Sequence, residues 1–197
     1  MILQEKLKNI PIILGSKSPR RKDLLHEMDL NFEVIVKETD ESYDPGLRAE
    51  EIVLQIALAK LKAFEQQKYV HNLLICADTI VVDKEGKVIG KPVDEKQAKK
   101  VLQALSAHEH QVFTAVAFSY GDQQVAFVEK TSVWFNSLSE QEIDYYVHHY
   151  QPLDKAGSYG IQEWIGRIGV AQIKGSYENV IGLPTARLHQ ELKRIFL

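Results

Sequence analysis

Residues 73–82 read LLICADTIVV, and the fold turns on how these ten residues are placed. A strand with one wet face alternates apolar and polar side chains. This run is apolar at nearly every position, which predicts a central strand covered on both faces. A central strand needs neighbours. Residues 10–15 and 32–36 before it read as strands, and so do 111–120 and 125–135 after it, the last two joined by a hairpin at Gly121-Asp122. DKEG, residues 83–86, turns the chain into KVIGKP. Helices are expected over 18–29 and over 49–66, where Ile52, Ile56, Ala59 and Ala63 line one side. Asp94 with Gln97 and Ser139 with Glu142 are capping-box pairs that open helices over 95–105 and up to about residue 148. Residues 165–174 and 177–182 read as strands around Gly175, and Pro184 opens a last helix with Leu188, Leu192 and Ile195 on one face. Hairpins outnumber βαβ units, so the fold class is α/β, a mixed twisted sheet with flanking helices.

The chain has 197 residues and is 45% hydrophobic, enough for a sizeable core in one domain spanning 1–197. A net charge of −3 argues against a general nucleic-acid binder, which usually shows a basic excess. A small anionic substrate in a local basic pocket is still allowed. The lone Cys76 excludes a disulfide framework and a cysteine zinc site, and fits a cytoplasmic setting. No apolar stretch reaches membrane-spanning length, and MILQEKLKNI lacks the apolar run of a signal peptide.

Several residues are out of place. Ser18 is a good N-cap and Pro19 a good first helical residue, yet Arg20 and Arg21 follow in the first turn. Cations there face the positive end of the helix, at a cost of up to about 1 kcal/mol each when exposed. Removing either should then leave the ligand-free protein as stable or slightly more so. An anion at the turn reverses the sign, because Ser16, Ser18, the free N–H groups and both guanidinium groups can donate to a phosphate. The alternative is solvation or pairing with Asp23 or Glu27. No GxxxxGK[ST] loop is present.

Asp78 interrupts the apolar strand, where a carboxylate is disfavoured and costly to bury alone. It is either bonded to backbone N–H groups at a strand end or held there for a cation or a proton transfer. Lys60 has Ile56, Ala57, Ala63 and Phe64 as its helical neighbours, either as a snorkelling lysine or as a cation aimed inward. Lys91 sits between Gly90 and Pro92 at a turn. Glu41 lies in an acidic loop that is either solvated or, together with Asp78, able to give oxygen ligands to Mg2+ or Mn2+ carried on a phosphate chain. Basic groups for phosphates, two carboxylates for a metal and an Asp as base form a set that can direct water at phosphorus.

SKSPRRKDLL, ADTIVV, GKP, DKAGSYGIQ and GSYENVIGLP occur in that order between Ser16 and Pro184, within a likeness that covers residues 11–190. Together they resemble the Maf proteins, the septum-formation family of nucleoside triphosphate pyrophosphatases. The resemblance implies a two-lobed α/β fold with a central cleft, similar to inosine triphosphate pyrophosphatases, and a homodimer. It implies hydrolysis between the α- and β-phosphates with a divalent metal cation. Ser16, Ser18, Arg20 and Arg21 match the family's phosphate-binding turn, Glu41 its loop glutamate, Lys60 its helix lysine, Lys91 its KP lysine and Asp78 its proton acceptor. Three positions separate subfamilies. One branch carries Arg, Thr and Gln and prefers dTTP and UTP; another carries Trp, Gln and Glu and prefers 7-methyl-GTP. Arg20, Thr79 and Gln162 place this chain in the first. A glutamine amide, which donates and accepts, also suits the uracil edge. One departure stands out: where the family usually has glycine after this glutamine, Glu163 and Trp164 follow. The rival readings are a 7-methyl-GTP pyrophosphatase and a nucleotide-sensing regulator of cell division with little turnover. Neither a nucleic acid nor a membrane is expected as a partner.

Overall fold

The computed structural model describes residues 2–44, 46–64 and 67–197. The chain begins with α1 (Leu3–Leu7), β1 (Ile12–Leu14), α2 (Pro19–Glu27), β2 (Glu33–Val34) and α3 (Ala49–Lys62). Next come β3 (Leu73–Val82), β4 (Val88–Ile89), α4 (Glu95–Leu105), β5 (Glu109–Tyr120), β6 (Gln123–Phe135) and α5 (Glu140–Tyr150). It closes with α6 (Trp164–Gly169), β7 (Val170–Lys174), α7 (Tyr177–Ile181) and α8 (Thr185–Phe196). The strand order is β2-β1-β3-β5-β6-β7, with β4 added on β3. β1 runs parallel to β2 and to β3, whereas β3/β4 and β6/β7 are antiparallel. The α/β class with a mixed sheet and flanking helices is as expected.

β3 is the strand the sequence placed at the centre. All of it is buried except Asp78 and Thr79, which are half-buried. The chain divides into two units. One takes residues up to Asp78, Thr114–Glu129 and Gly182–Leu197; the other takes Thr79–Phe113 and Lys130–Ile181. In the first, Ile52, Val53, Ile56, Ala57 and Leu61 of α3 are buried, as are Leu24 and Leu25 of α2. In the second, Leu102, Leu105, Val133, Phe135, Ile143, Tyr146 and Ile165 belong to one core cluster.

The helix starts follow their caps. Asp94 accepts from the Gln97 N–H at 2.7 Å, and Ser139 and Glu142 form a reciprocal capping box. α3 ends at Lys62 rather than 66, and Glu65 and Gln66 lie outside the described residues. Its buried face uses Val53, Ala57 and Leu61 beside Ile52 and Ile56, while Ala59 and Ala63 are half-buried.

One expected strand, 177–182, is helix, and the other, 165–174, is strand only from Val170. Residues 164–169 and 177–181 coil, and only 170–174 is strand. The inward positions of α6 are Ile165, Gly166 and Gly169, at helical spacing. Two of these are glycines, which carry no hydrophobic signal. Gly166 is required there, because a Cβ would stand 1.9 Å from the Ile161 carbonyl oxygen. In α7 the inward residue is polar: Asn179 is buried and donates to Thr131 Oγ1 at 2.9 Å and to the Val112 carbonyl at 3.2 Å. Among the described residues no helix is long and apolar enough to cross a membrane.

Candidate active site

The turn after β1 is shaped by a close approach. The Gly15 N–H donates to the Ile75 carbonyl at 2.8 Å, and a Cβ at Gly15 would lie 2.5 Å from the Cys76 sulfur. Only glycine lets the chain leave the sheet this tightly. Ser16, next in line, is buried, and its hydroxyl accepts from the Ser18 N–H at 3.2 Å and from Arg21 Nη1 at 3.0 Å. Ser18 caps α2 by accepting from the Arg21 N–H. Pro19 occupies the first helical position, as expected.

The two arginines part company here. Arg20 is half-buried, whereas Arg21 is 8% exposed and donates from Nε to the Gly182 carbonyl at 2.8 Å. Burial pushes the Arg21 guanidinium below its usual pKa, against the opposing pull of Asp78 and Glu41. The expectation that removing either arginine relieves the ligand-free protein loses its premise for Arg21. Its charge does not lie exposed over the helix end; it bonds a carbonyl 161 positions away in sequence.

Lys60 resolves the oddity of Asp78. The Lys60 ammonium lies 2.7 Å from Asp78 Oδ1 and 2.9 Å from Glu41 Oε1. Side-chain exposures of 15% for Lys60 and Asp78, against 52% for Glu41, set the pair inward and the loop carboxylate at its rim. The inward cation on α3 and the strand carboxylate are thus partners. One ammonium serves both oxygens that the sequence offers to a metal. Two carboxylates are hard oxygen donors of the kind a divalent cation takes. No group of three or more His, Cys, Asp or Glu able to hold a metal occurs among the described residues.

Thr79, Lys91 and Gln162 belong to the second unit. Thr79 is half-buried on β3, and Lys91 is exposed just past β4. Gln162 sits in the turn Gly160–Glu163, which the Glu163 N–H closes onto the Gly160 carbonyl at 3.0 Å. Its Oε1 is buried and has no hydrogen-bond partner among the described residues.

Tyr146, which carries no motif signal, and Asp154 and Lys155, which open the DKAGSYGIQ stretch, surround this turn. The buried Tyr146 hydroxyl accepts from the Gly160 N–H at 3.0 Å and donates to Glu163 Oε2. Lys155, 8% exposed, lies 3.3 Å from Glu163 Oε1 and 2.8 Å from Asp154. The unusual Glu163-Trp164 pair thus has a local account. Glu163 closes this polar knot, and Trp164 starts α6 with its ring 4.9 Å from that of Tyr145.

The Maf-like protein family model matches residues 11–195. The chain belongs to the Maf family. A dTTP/UTP pyrophosphatase of Parabacteroides distasonis is 48% identical over 96% of this chain and 98% of its own length. One from Phocaeicola vulgatus is 48% identical over 97% and 99%. One from Christiangramia forsetii is 42% identical over 98% of each. Among solved structures, the Ham1 protein of Staphylococcus aureus aligns over 92% of this Maf chain and 99% of its own, with a TM-score of 0.49 and 17% identity.

Proposed function

We propose that this Maf protein hydrolyses UTP and dTTP to the nucleoside monophosphate and pyrophosphate. The carrying observation is the ion-paired group in which Lys60 holds both Asp78 and Glu41, in the same unit as the buried Arg21 and the capped turn of α2. Membership of the family and the activity named for its relatives support the reaction class.

The roles follow from the chemistry of each group. The Ser16 and Ser18 hydroxyls donate to phosphate oxygens, and Arg20 and Arg21 neutralise them. Arg21 does so from a guanidinium already fixed by the Gly182 carbonyl and Ser16. Lys91 and Lys60 supply further positive charge. Asp78 accepts a proton from water as the water oxygen attacks the α-phosphorus and the bond to the bridging oxygen of the β-phosphate breaks. Lys60 transfers its hydrogen bonds to the phosphate chain and leaves Asp78 able to take that proton. Glu41 and Asp78 would hold a divalent cation, which supplies charge neutralisation on the phosphate chain. Thr79, Arg20 and Gln162 select the base. The unmet acceptor of Gln162 favours a base edge that brings an N–H, as the uracil imide does.

The test is a panel of UTP, dTTP, CTP, ATP, GTP and 7-methyl-GTP, each with Mg2+ or Mn2+, with all phosphate products resolved. UTP and dTTP should lead and yield pyrophosphate with the monophosphate. Release of orthophosphate with a diphosphate, or preference for 7-methyl-GTP, overturns the reading.

A further inference from the structure

The turn that carries Gln162 is held from outside itself. Its four residues run from Gly160 to Glu163, and a single hydroxyl touches both ends. Tyr146 Oη accepts the Gly160 N–H at 3.0 Å and donates to the Glu163 carboxylate. Tyr146 is fully buried, and its ring stacks on Tyr150 with centroids 5.0 Å apart. Burial, reinforced by the Glu163 contact, pushes its hydroxyl well above the usual range, so it stays a donor at every working pH. The carboxylate is held in turn by Lys155, whose charge Asp154 also shares. Gly160 is part of the same fit: a Cβ there would come within 2.7 Å of the Glu163 carboxyl carbon. Every atom of this arrangement belongs to the second unit.

A clamp of this kind matters because of what lies inside it. Gln162 keeps an amide oxygen buried without a partner among the described residues, and a turn held at both ends keeps that oxygen in one place until a donor meets it. A reading group must also be held within a fraction of an ångström to discriminate between edges of equal size.

We infer that Tyr146 and Glu163 are positioning residues for base selection, clamping the two ends of the Gly160–Glu163 turn so that Gln162 presents a fixed amide to a pyrimidine edge. The inference rests on the base-reading role given to Gln162. It also gives the Glu163 departure a use: a glycine at this position would leave the Tyr146 hydroxyl and Lys155 without that carboxylate.

The test compares kcat/KM for UTP with that for CTP, two pyrimidines that differ in the donors and acceptors of one edge. The concentration of active enzyme cancels in this ratio, so a loss of folded protein does not move it. Gln162→Ala should lower the ratio about tenfold or more, and Tyr146→Phe should lower it by about fivefold or more. In the double variant Tyr146→Phe should add nothing, because it acts through Gln162. Glu163→Ala gives a second route should Tyr146→Phe fail to fold. It should lower the ratio, and Glu163→Gln, which still accepts from the Tyr146 hydroxyl, should restore it. If Gln162→Ala collapses the ratio while Tyr146→Phe and Glu163→Ala leave it within about twofold of the unmodified enzyme, the clamp is overturned and the base-reading role stands. If Gln162→Ala itself leaves the ratio unchanged, the base-reading role fails and the clamp falls with it.

Discussion

In the first unit Lys60 lies within 2.9 Å of two carboxylates, and Arg21 is bonded to a carbonyl and a hydroxyl. In the second unit the Gln162 amide oxygen, the Ser158 hydroxyl and the His110 Nδ1 are buried without a hydrogen-bond partner among the described residues. The two regions differ because charge and dipole differ in cost. An ion taken from water without a counter-charge loses several kcal/mol or more, roughly. A neutral polar atom left unmet loses only about 1–3 kcal/mol. Charged groups must therefore be paired before a ligand arrives, and the ligand binds by exchanging partners. Neutral groups can wait, and the ligand that meets them gains the whole bond. On this view paired ions such as Lys60 and Asp78 serve reactivity, and an unmet dipole such as the Gln162 amide serves choice.

The largest effect expected from this contrast is in turnover. Asp78→Asn removes the base but keeps an oxygen for Lys60, while Glu41 still balances the ammonium. Turnover should fall about 100-fold or more, with a thermal melt close to that of the unmodified protein. A folded variant with near-normal turnover would break the assignment.

The second concerns a neutral group that must stay neutral. His110 is buried, with Nε2 2.7 Å from the Tyr159 hydroxyl, and burial lowers its pKa to about 4. The unfolded chain takes up this proton below about pH 6.5, while the folded one resists until about 4. Stability is therefore complete above the unfolded value. It is lost as pH falls between the two, by on the order of 3 kcal/mol in all. Denaturant melts at pH 7, 6 and 5 should show the decline, and His110→Gln should flatten it. An equal decline in that variant would assign the loss to other groups.

The smallest effect sharpens the contrast between neighbours. Arg21→Ala leaves the Gly182 carbonyl and Ser16 short of a donor and should cost about 1–3 kcal/mol without ligand. Arg20→Ala, at the positive end of α2, should change stability by no more than about 0.5 kcal/mol. Both should weaken nucleotide binding. Equal melts for the two variants would dissolve the distinction between a buried and a half-buried arginine.

These residues also show what could be seen in advance. β3 was legible because ten residues with one intruding carboxylate leave few alternatives, and α4 and α5 because their caps lie within three residues. α6 and α7 were not, since their inward faces are Gly166, Gly169 and Asn179, which do not count as apolar. Lys60 and Asp78 were each recognisable as misplaced charges, but nothing in their spacing pairs them. The anchor of Arg21 at Gly182 and the hold of Tyr146 on Gly160 and Glu163 join distant stretches, so no local pattern announces them. The family resemblance marked Gln162 but not what keeps it in place.

The contact between Gly15 and Cys76 has a practical result. Cys76 is fully buried, and burial raises its thiol to about 12, so at neutral pH almost none of it is the thiolate that reagents and oxidants attack. The chain's one thiol therefore stays silent while it is buried and reacts when the structure around it opens. A thiol-labelling time course then becomes a clock for how often that part of the molecule opens, read at a single atom and needing no introduced cysteine.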